Sequence, residues 1–88
     1  MTSQPMSQCF AVGCSAMKPG WALMCARHWR MVPSRIQADV YAAHAAWKKD
    51  NGLLVPYMIV RGQSQAAVAR AEGKSQQVIS AIEAEIAG

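Results

Sequence analysis

Apolar residues recur at the three- and four-residue spacing of an amphipathic helix over two long parts of the chain. The first part follows Pro33, and its apolar positions are Ile36, Val40, Ala43 and Trp47, with Tyr41 and His44 beside them. Ser34 followed by Gln37 matches a capping box, which predicts that this helix begins at Ser34. The run Asp50-Asn51-Gly52 predicts its end, because these residue types favour turns.

The second amphipathic part starts near Ser64. Its stripe consists of Val68, Ala71, Ser75, Val78, Ile79, Ile82 and Ile86, and most charged residues lie on other faces. Gly73 is unfavourable by about 1 kcal/mol relative to alanine inside a helix, so we expect a bend or a break there. The stripe predicts an intramolecular core. Because small domains often need oligomerisation, it also suggests a homodimer through Val68, Val78, Ile82 and Ile86.

Two shorter stretches are harder to assign. A first helix is predicted from about Cys25 to Met31, because Val32 precedes proline and is therefore disfavoured from the helical conformation. The segment from Leu53 to Gln63 stays undetermined, since an apolar run this short is compatible with a helix or a strand. Pro56 and Gly62 argue against a long helix in it.

Three cysteines and one histidine form the spacing C-x4-C-x10-C-x2-H, at Cys9, Cys14, Cys25 and His28. An odd number of cysteines cannot complete a disulfide framework, and no secretory signal is recognisable before them. Two local pairs of sulfur and imidazole ligands match the closed tetrahedral set of a structural zinc site. We therefore expect one structural Zn²⁺ per chain.

The neighbouring sequence favours this site. Cys25 and His28 are three positions apart and share one face of a helical turn, so both can point at one ion. Gly13 allows the backbone to curl tightly, and Lys18-Pro19-Gly20 predicts a turn that brings the two ligand pairs together. Two alternatives remain open at this point: buried free cysteines with a surface histidine, or a disulfide between the first two cysteines. We interpret His44, the other histidine, as a helix-face residue.

These patterns together predict a mainly α fold, in which a small zinc-stapled N-terminal loop or turn is followed by three to four helices. The length of 88 residues is that of one domain. Within it we expect a flexible N-terminus over residues 1–8 and a zinc-binding helical module over residues 9–52. Residues 53–88 are predicted to form an amphipathic helical segment that packs on this module.

The net charge of +4 lies entirely in the half of the chain that contains the cysteines. Residues 1–50 carry six Lys or Arg and two Asp, whereas residues 51–88 carry three basic and three acidic residues. This excess fits either an ordinary solvated surface or a face that contacts phosphate. Basic side chains interleaved with aromatic ones bind single-stranded nucleic acid, and the candidates here are Lys18, Trp21, Arg27, Arg30 and Arg35.

The segment LMCARHWRMVPSRIQADVYAAHAAW, with its upstream cysteine pair, resembles a group of small proteins encoded by bacterial phages and prophages. Those proteins show a cysteine pair, an M-C-x-x-H-W segment, V-P and then an amphipathic helix rich in aromatic residues. The matching positions here are Cys9, Cys14, Met24, Cys25, His28, Trp29, Val32 and Pro33. The resemblance covers about residues 9–47 and implies zinc binding and a phage origin, without implying an activity.

Several functions can be compared on these grounds. An enzyme is not expected, because a Cys3His zinc site has no vacant coordination position and the sequence lacks other catalytic motifs. A redox switch that uses the thiolates is chemically simple but has no further support. A protein-interaction module, acting as an adaptor or inhibitor of a host or phage protein, is our first expectation, and nucleic-acid binding is the alternative.

Without a recognisable signal peptide or membrane span, we expect the protein in the cytoplasm of a bacterial host.

Overall fold

The predicted mainly α fold is confirmed by a computed structural model, which describes residues 6–19 and 22–87. A two-stranded hairpin is followed in this part of the chain by four α-helices, with a short 3-10 helix at Asn51–Leu53. The strands are β1 (Met6–Gln8) and β2 (Met17–Pro19). The helices are α1 (Ala26–Trp29), α2 (Ser34–Lys49), α3 (Leu54–Ala71) and α4 (Gln76–Ala87). No helix in the described ranges is long and apolar enough to cross a membrane.

The hairpin lies partly where the sequence predicts a flexible N-terminus. Strand β1 pairs antiparallel with β2, with Ser7 opposite Lys18, and the next backbone bond runs from Cys9 N to Ala16 O at 2.8 Å. Residues 6–8 thus form a paired strand, and the flexibility of residues 1–8 stays a prediction. Residues 1–5 lie outside the described residues, as does Gly20 of the predicted turn.

Helix α2 has the predicted bounds, but its N-terminus is not capped in the predicted way. Pro33 occupies the N-cap position and Ser34 is the first helical residue, so the capping-box prediction is wrong. Gln37 donates its backbone N–H to Pro33 O at 3.0 Å, and its side-chain amide donates to Trp29 O at 2.8 Å. A proline at this position has a fixed backbone torsion but no side-chain acceptor for the first N–H groups of the helix. The Gln37 side chain instead links the start of α2 to a carbonyl of the preceding turn.

Helix α3 covers most of the segment that the sequence left undetermined. Pro56 lies in its first turn, where a missing N–H breaks no intrahelical bond. Gly62 is buried in the middle, and a Cβ there would overlap Ile86 Cγ1 of α4. A glycine is thus required because α4 approaches closely, which explains a residue that argued against a long helix in the sequence alone.

The predicted break at Gly73 is confirmed and separates α3 from α4. Gly73 has a φ of +73°, and Lys74 N donates to Ala69 O while Gly73 N donates to Arg70 O. This is the hydrogen-bond pattern of a Schellman motif, which needs a residue in the left-handed conformation. The helical hairpin closes over a small core, formed by Ala66 and Ala69 of α3 and by Ile79 and Ile82 of α4.

The residues predicted for a homodimer lie largely inside this chain. Val68 and Ile82 are buried, and Val78 and Ile86 are half-buried against neighbouring helices. Their apolar stripe thus forms core within one molecule, as the sequence predicts. Dimerisation through the same four residues stays a prediction.

One face of α3, together with its C-cap residue, contacts the N-terminal part of the chain. This contact face consists of Arg61, Gln65, Val68 and Glu72, at the spacing that places residues on one side of a helix. Gln65 donates to Phe10 O at 2.7 Å, and the Arg61 guanidinium lies 4.5 Å from the centre of the Phe10 ring. Val68 completes a buried cluster with Cys9, Ala11, Met24 and Val32.

Candidate metal centre

The structure brings the four predicted ligands together. The sulfur atoms of Cys9, Cys14 and Cys25 and one ring nitrogen of His28 all lie within 4.8 Å of one another. His28 Nδ1 is 3.2 Å from Cys25 Sγ and 3.6 Å from Cys9 Sγ. The arrangement is compatible with a metal site made from two separate chain segments.

The spacing of these atoms can be compared with a tetrahedron around one ion. With Zn–S bonds of about 2.3 Å and Zn–N bonds of about 2.0 Å, neighbouring ligand atoms are about 3.5–3.8 Å apart. The two distances from His28 Nδ1 are close to this range, and the upper limit of 4.8 Å exceeds it modestly. Small side-chain rotations would therefore suffice to give tetrahedral coordination.

Residues 11–14, which end at the second candidate ligand, form a tight turn. Cys14 N donates to Ala11 O at 3.2 Å, and Gly13 has a φ of +79° at the third position of this turn. A positive φ there is characteristic of a type II turn and favours glycine. The turn reverses the chain directly after Cys9, so that Cys14 faces the same point.

The second ligand pair is placed by the start of α1. Cys25 is the N-cap residue, and Trp29 N donates to Cys25 O at 2.9 Å to close the first helical turn. Cys25 and His28 consequently lie on the same side of one turn. The helix has only four residues, Ala26–Trp29, which is shorter than the predicted Cys25–Met31 but leaves the pair intact.

Backbone N–H groups point at the sulfur atoms. Cys25 N donates to Cys9 Sγ at 3.3 Å, and Ala16 N donates to Cys14 Sγ at 3.4 Å. The backbone N–H of His28, followed by weaker side-chain contacts, lowers the pKa of Cys25 to about 7, whereas burial raises the pKa of Cys9. Such donors stabilise thiolates, which are the form of cysteine that binds metals.

The structure differs from each alternative to a metal site in one respect. All three cysteines are free, so Cys9 and Cys14 form no disulfide. His28 is 1% exposed and is not a surface residue. His44 lies in α2 at a distance from this cluster, and its ring packs against Trp47 and Tyr57 with centroids 5.9 and 5.2 Å away.

The far side of the His28 ring contacts a residue that the sequence analysis missed. His28 Nε2 is 2.9 Å from Glu72 Oε2, and the hydrogen bond with His28 is the main reason that the pKa of Glu72 is lowered. The two residues are 44 positions apart, so local spacing gave no indication of the pair. One signal was available: Glu72 ends α3, where the helix dipole favours basic side chains and disfavours acidic ones.

The residues of the predicted nucleic-acid face have different environments. Lys18 is buried, and its Nζ donates to Ser7 Oγ at 2.6 Å. Arg27 is exposed, but its Nη2 lies 3.2 Å from His28 Nε2, and so it does not project away from the ligands. Arg30 and Arg35 are exposed, and Trp21 lies outside the described residues.

Comparison with known proteins gives no further identification. The chain matched no protein-family model, no curated protein and no solved structure.

Proposed function

We propose that Cys9, Cys14, Cys25 and His28 hold one structural zinc ion. The observation that supports this most directly is the convergence of three sulfur atoms and one imidazole nitrogen within 4.8 Å. Sulfur and nitrogen ligands in a tetrahedral arrangement favour zinc over calcium or magnesium, which prefer oxygen. Four protein ligands leave no position for a substrate, so the ion would tie the β-hairpin to α1 and perform no catalysis.

The contacts of His28 with Cys25 and with Glu72 also resemble a catalytic triad. In such a triad a cysteine is the nucleophile, a histidine is its base and a carboxylate orients the histidine. Two features favour a metal over a nucleophile. Cys9 and Cys14 surround the same imidazole nitrogen, and a nucleophile has no use for two further thiols beside it. The imidazole is also buried, which suits a ligand better than a base that must reach a substrate.

The zinc site is tested by elemental analysis of purified protein, for which we expect close to one zinc per chain. Cys25→Ser and His28→Ala should lose most of the metal, because each removes one ligand of four. His44→Ala is the matched control, since it removes the other histidine and should retain zinc. A folded wild-type protein without metal would refute the proposal.

We propose further that this zinc-stapled fold is a protein-interaction module, encoded by a phage or prophage and acting in the bacterial cytoplasm as an adaptor or inhibitor. Large apolar side chains are exposed around the start of α3, at Leu53, Leu54, Val55 and Met58. Val55 and Met58 line an open cavity of about 550 Å³, together with Phe10, Ile82 and Ile86. Exposed apolar patches commonly mark protein contacts, and methionine adapts well to such surfaces.

Substitution of this patch tests the interaction. Val55→Ser with Met58→Ser should abolish binding to a host or phage protein that the wild type captures, while the zinc content stays unchanged. The captured protein must be identified and must bind again as a purified component. The matched control is Tyr41→Ser, which alters another exposed hydrophobic residue, on α2. Equal binding by wild type and the patch variant would contradict the proposed surface.

Nucleic-acid binding is the second candidate, and the exposure of Arg30 and Arg35 near the α1–α2 junction favours it. A double Arg30→Ala and Arg35→Ala variant tests it without disturbing the surroundings of His28. If phosphate contacts are made, the dependence of log K on log salt should flatten by roughly one unit per lost contact. Our first choice predicts weak binding of random DNA or RNA in both proteins.

A further inference from the structure

We propose that Glu72 is the positioning residue of the metal centre, which orients His28 and thereby couples metal binding to the α3–α4 hairpin. This inference rests on the zinc site proposed above. It adds a residue outside the Cys3His set and assigns it a measurable effect on metal affinity.

The two nitrogens of His28 face different partners. Nδ1 points toward the sulfur atoms of Cys25 and Cys9, at 3.2 and 3.6 Å, while Nε2 lies 2.9 Å from Glu72 Oε2. A metal ion on Nδ1 requires that nitrogen to be unprotonated, so the ring proton is on Nε2. Nε2–H then donates to the Glu72 carboxylate, which fixes the ring orientation and makes Nδ1 a stronger ligand.

The position of Glu72 is unfavourable unless it has this partner. It is the C-cap residue of α3, where the negative end of the helix dipole repels a carboxylate. The Arg27 guanidinium, with Nη2 at 3.2 Å from His28 Nε2, adds a positive charge beside the pair. Since Nε2 carries the proton in the metal-bound form, this arginine acts on the carboxylate by its charge and does not donate to the imidazole.

Glu72 lies on the side of α3 that contacts residues 9–14, the metal-binding loop that carries Cys9 and Cys14. Further along the contact face, Gln65 donates to Phe10 O and Val68 packs with Cys9. These contacts fix α3 against the loop, and the Schellman motif at Gly73 fixes the end of the helix. Glu72 is therefore held beside His28 by two neighbouring structural restraints, as expected for a positioning residue.

The coupling works in both directions. If the hydrogen bond from His28 to Glu72 strengthens metal binding, then bound metal must strengthen the docking of the α3–α4 hairpin by the same factor. Loss of an outer carboxylate partner of a ligand histidine typically lowers metal affinity 10–100-fold. We expect Glu72→Ala to fall within about that range and Glu72→Gln to show a smaller loss, since an amide still accepts but carries no charge.

The experiment is a competition titration of zinc against a chelator with the full-length wild type, Glu72→Ala and Glu72→Gln. Glu85→Ala is the matched control, because Glu85 is exposed on α4 and has no contact with the metal centre in the described structure. Thermal melting of each protein, with and without zinc, separates affinity from general stability. A nuclear magnetic resonance signal of the His28 Nε2 proton, protected in the zinc-loaded wild type and lost in Glu72→Ala, provides a readout specific to the hydrogen bond.

The outcomes are distinguishable. Weakened zinc affinity in Glu72→Ala with unchanged affinity in Glu85→Ala supports the proposal. Unchanged affinity in Glu72→Ala, or an equal loss of stability with and without zinc, overturns it while leaving the zinc site intact. A wild type that binds no zinc overturns the zinc site itself. If Glu72→Ala does not fold, the affinity and imidazole signal of Glu72→Gln decide the question.

Discussion

The N-terminal region, residues 6–19 and 22–32, and the helical region, residues 34–87, are stabilised in different ways. The first contains two three-residue strands and a four-residue helix, each too short to be stable alone. The second contains three helices of 12 to 18 residues that pack along their length. Under the proposed zinc site, the metal ion would stabilise the region in which the chain buries little apolar surface.

The contents of the two cores show the same contrast. In the helical region, Ala66 and Ala69 of α3 allow Ile79 and Ile82 of α4 to approach closely. In the N-terminal region, the buried cluster contains one of the ligand cysteines and is completed by Val68 of α3. The buried cluster of the N-terminal region is thus completed by a helix of the other region, whereas the buried residues of the helical core all come from α3 and α4.

Removal of zinc should separate the two regions with the largest effect. Zinc binding by small zinc domains contributes roughly 10–16 kcal/mol, so a strong chelator should unfold residues 9–32. Part of the helical region, at least α2, should survive because packing holds it. Amide hydrogen exchange resolved by residue measures this, with circular dichroism as a check on helix content.

Re-addition of zinc to the chelated sample should restore the N-terminal signals and serves as the control. Uniform protection in both states would mean that the N-terminal region is stable without metal. Uniform loss would mean that the helical region also depends on it. Either result would contradict the proposed difference in metal dependence between the two regions.

Gly62→Ala should damage the helical region by an intermediate amount. The added Cβ overlaps Ile86, and overpacking of this kind costs about 1–3 kcal/mol, partly offset by up to about 1 kcal/mol of helix propensity. Chemical denaturation measures the loss in unfolding free energy, and zinc content should stay the same. Adding Gly62→Ala to an Ile86→Ala background should cost little, because the overlapping side chain is gone. A Gly62→Ala protein at least as stable as the wild type would show that the close approach of α4 is not required.

Glu83→Gln should have the smallest effect on either region. Glu83 Oε2 lies 2.7 Å from Arg70 Nη2, but both side chains are about half exposed, so solvent screens the pair and its loss should cost less than about 1 kcal/mol. Unfolding free energy and zinc affinity should both remain near those of the wild type. A large loss of zinc affinity would show that any carboxylate of the helical region influences the centre, and the specific role of Glu72 would lose its basis.

The sequence predicted those features that local chemistry determines. Helix α2 lies between Pro33 and the turn at Asn51, and Gly73 ends α3, so punctuating residues were sufficient for these boundaries. The four candidate ligands were recognised because each pair is close in sequence and sulfur beside imidazole is chemically distinctive. For these features the tertiary structure supplies distances and angles, and the positions predicted from the sequence stay the same.

The features that the sequence did not predict depend on distant contacts. The stripe recognised from Ser64 onward did not extend over the first half of α3, because different sides of this helix contact the metal-binding loop, α4 and α2. Gly62 favours a helix only when Ile86 is beside it, and Glu72 has a role only when His28 is beside it. The mistaken capping box at Ser34 has a local cause, since Pro33 occupies the N-cap position and Ser34 is the first helical residue.

The order of these residues along the chain has a consequence for how the protein matures. Cys9 and His28 are 19 positions apart, whereas Glu72 lies 44 positions beyond His28. During synthesis from the N-terminus, the complete ligand set leaves the ribosome well before the helix that covers it. Short loops also close at lower entropic cost than long ones. Under the proposed zinc site, the ion would therefore enter while the site is still open, and the later arrival of α3 would cover His28, which is 1% exposed in the folded protein.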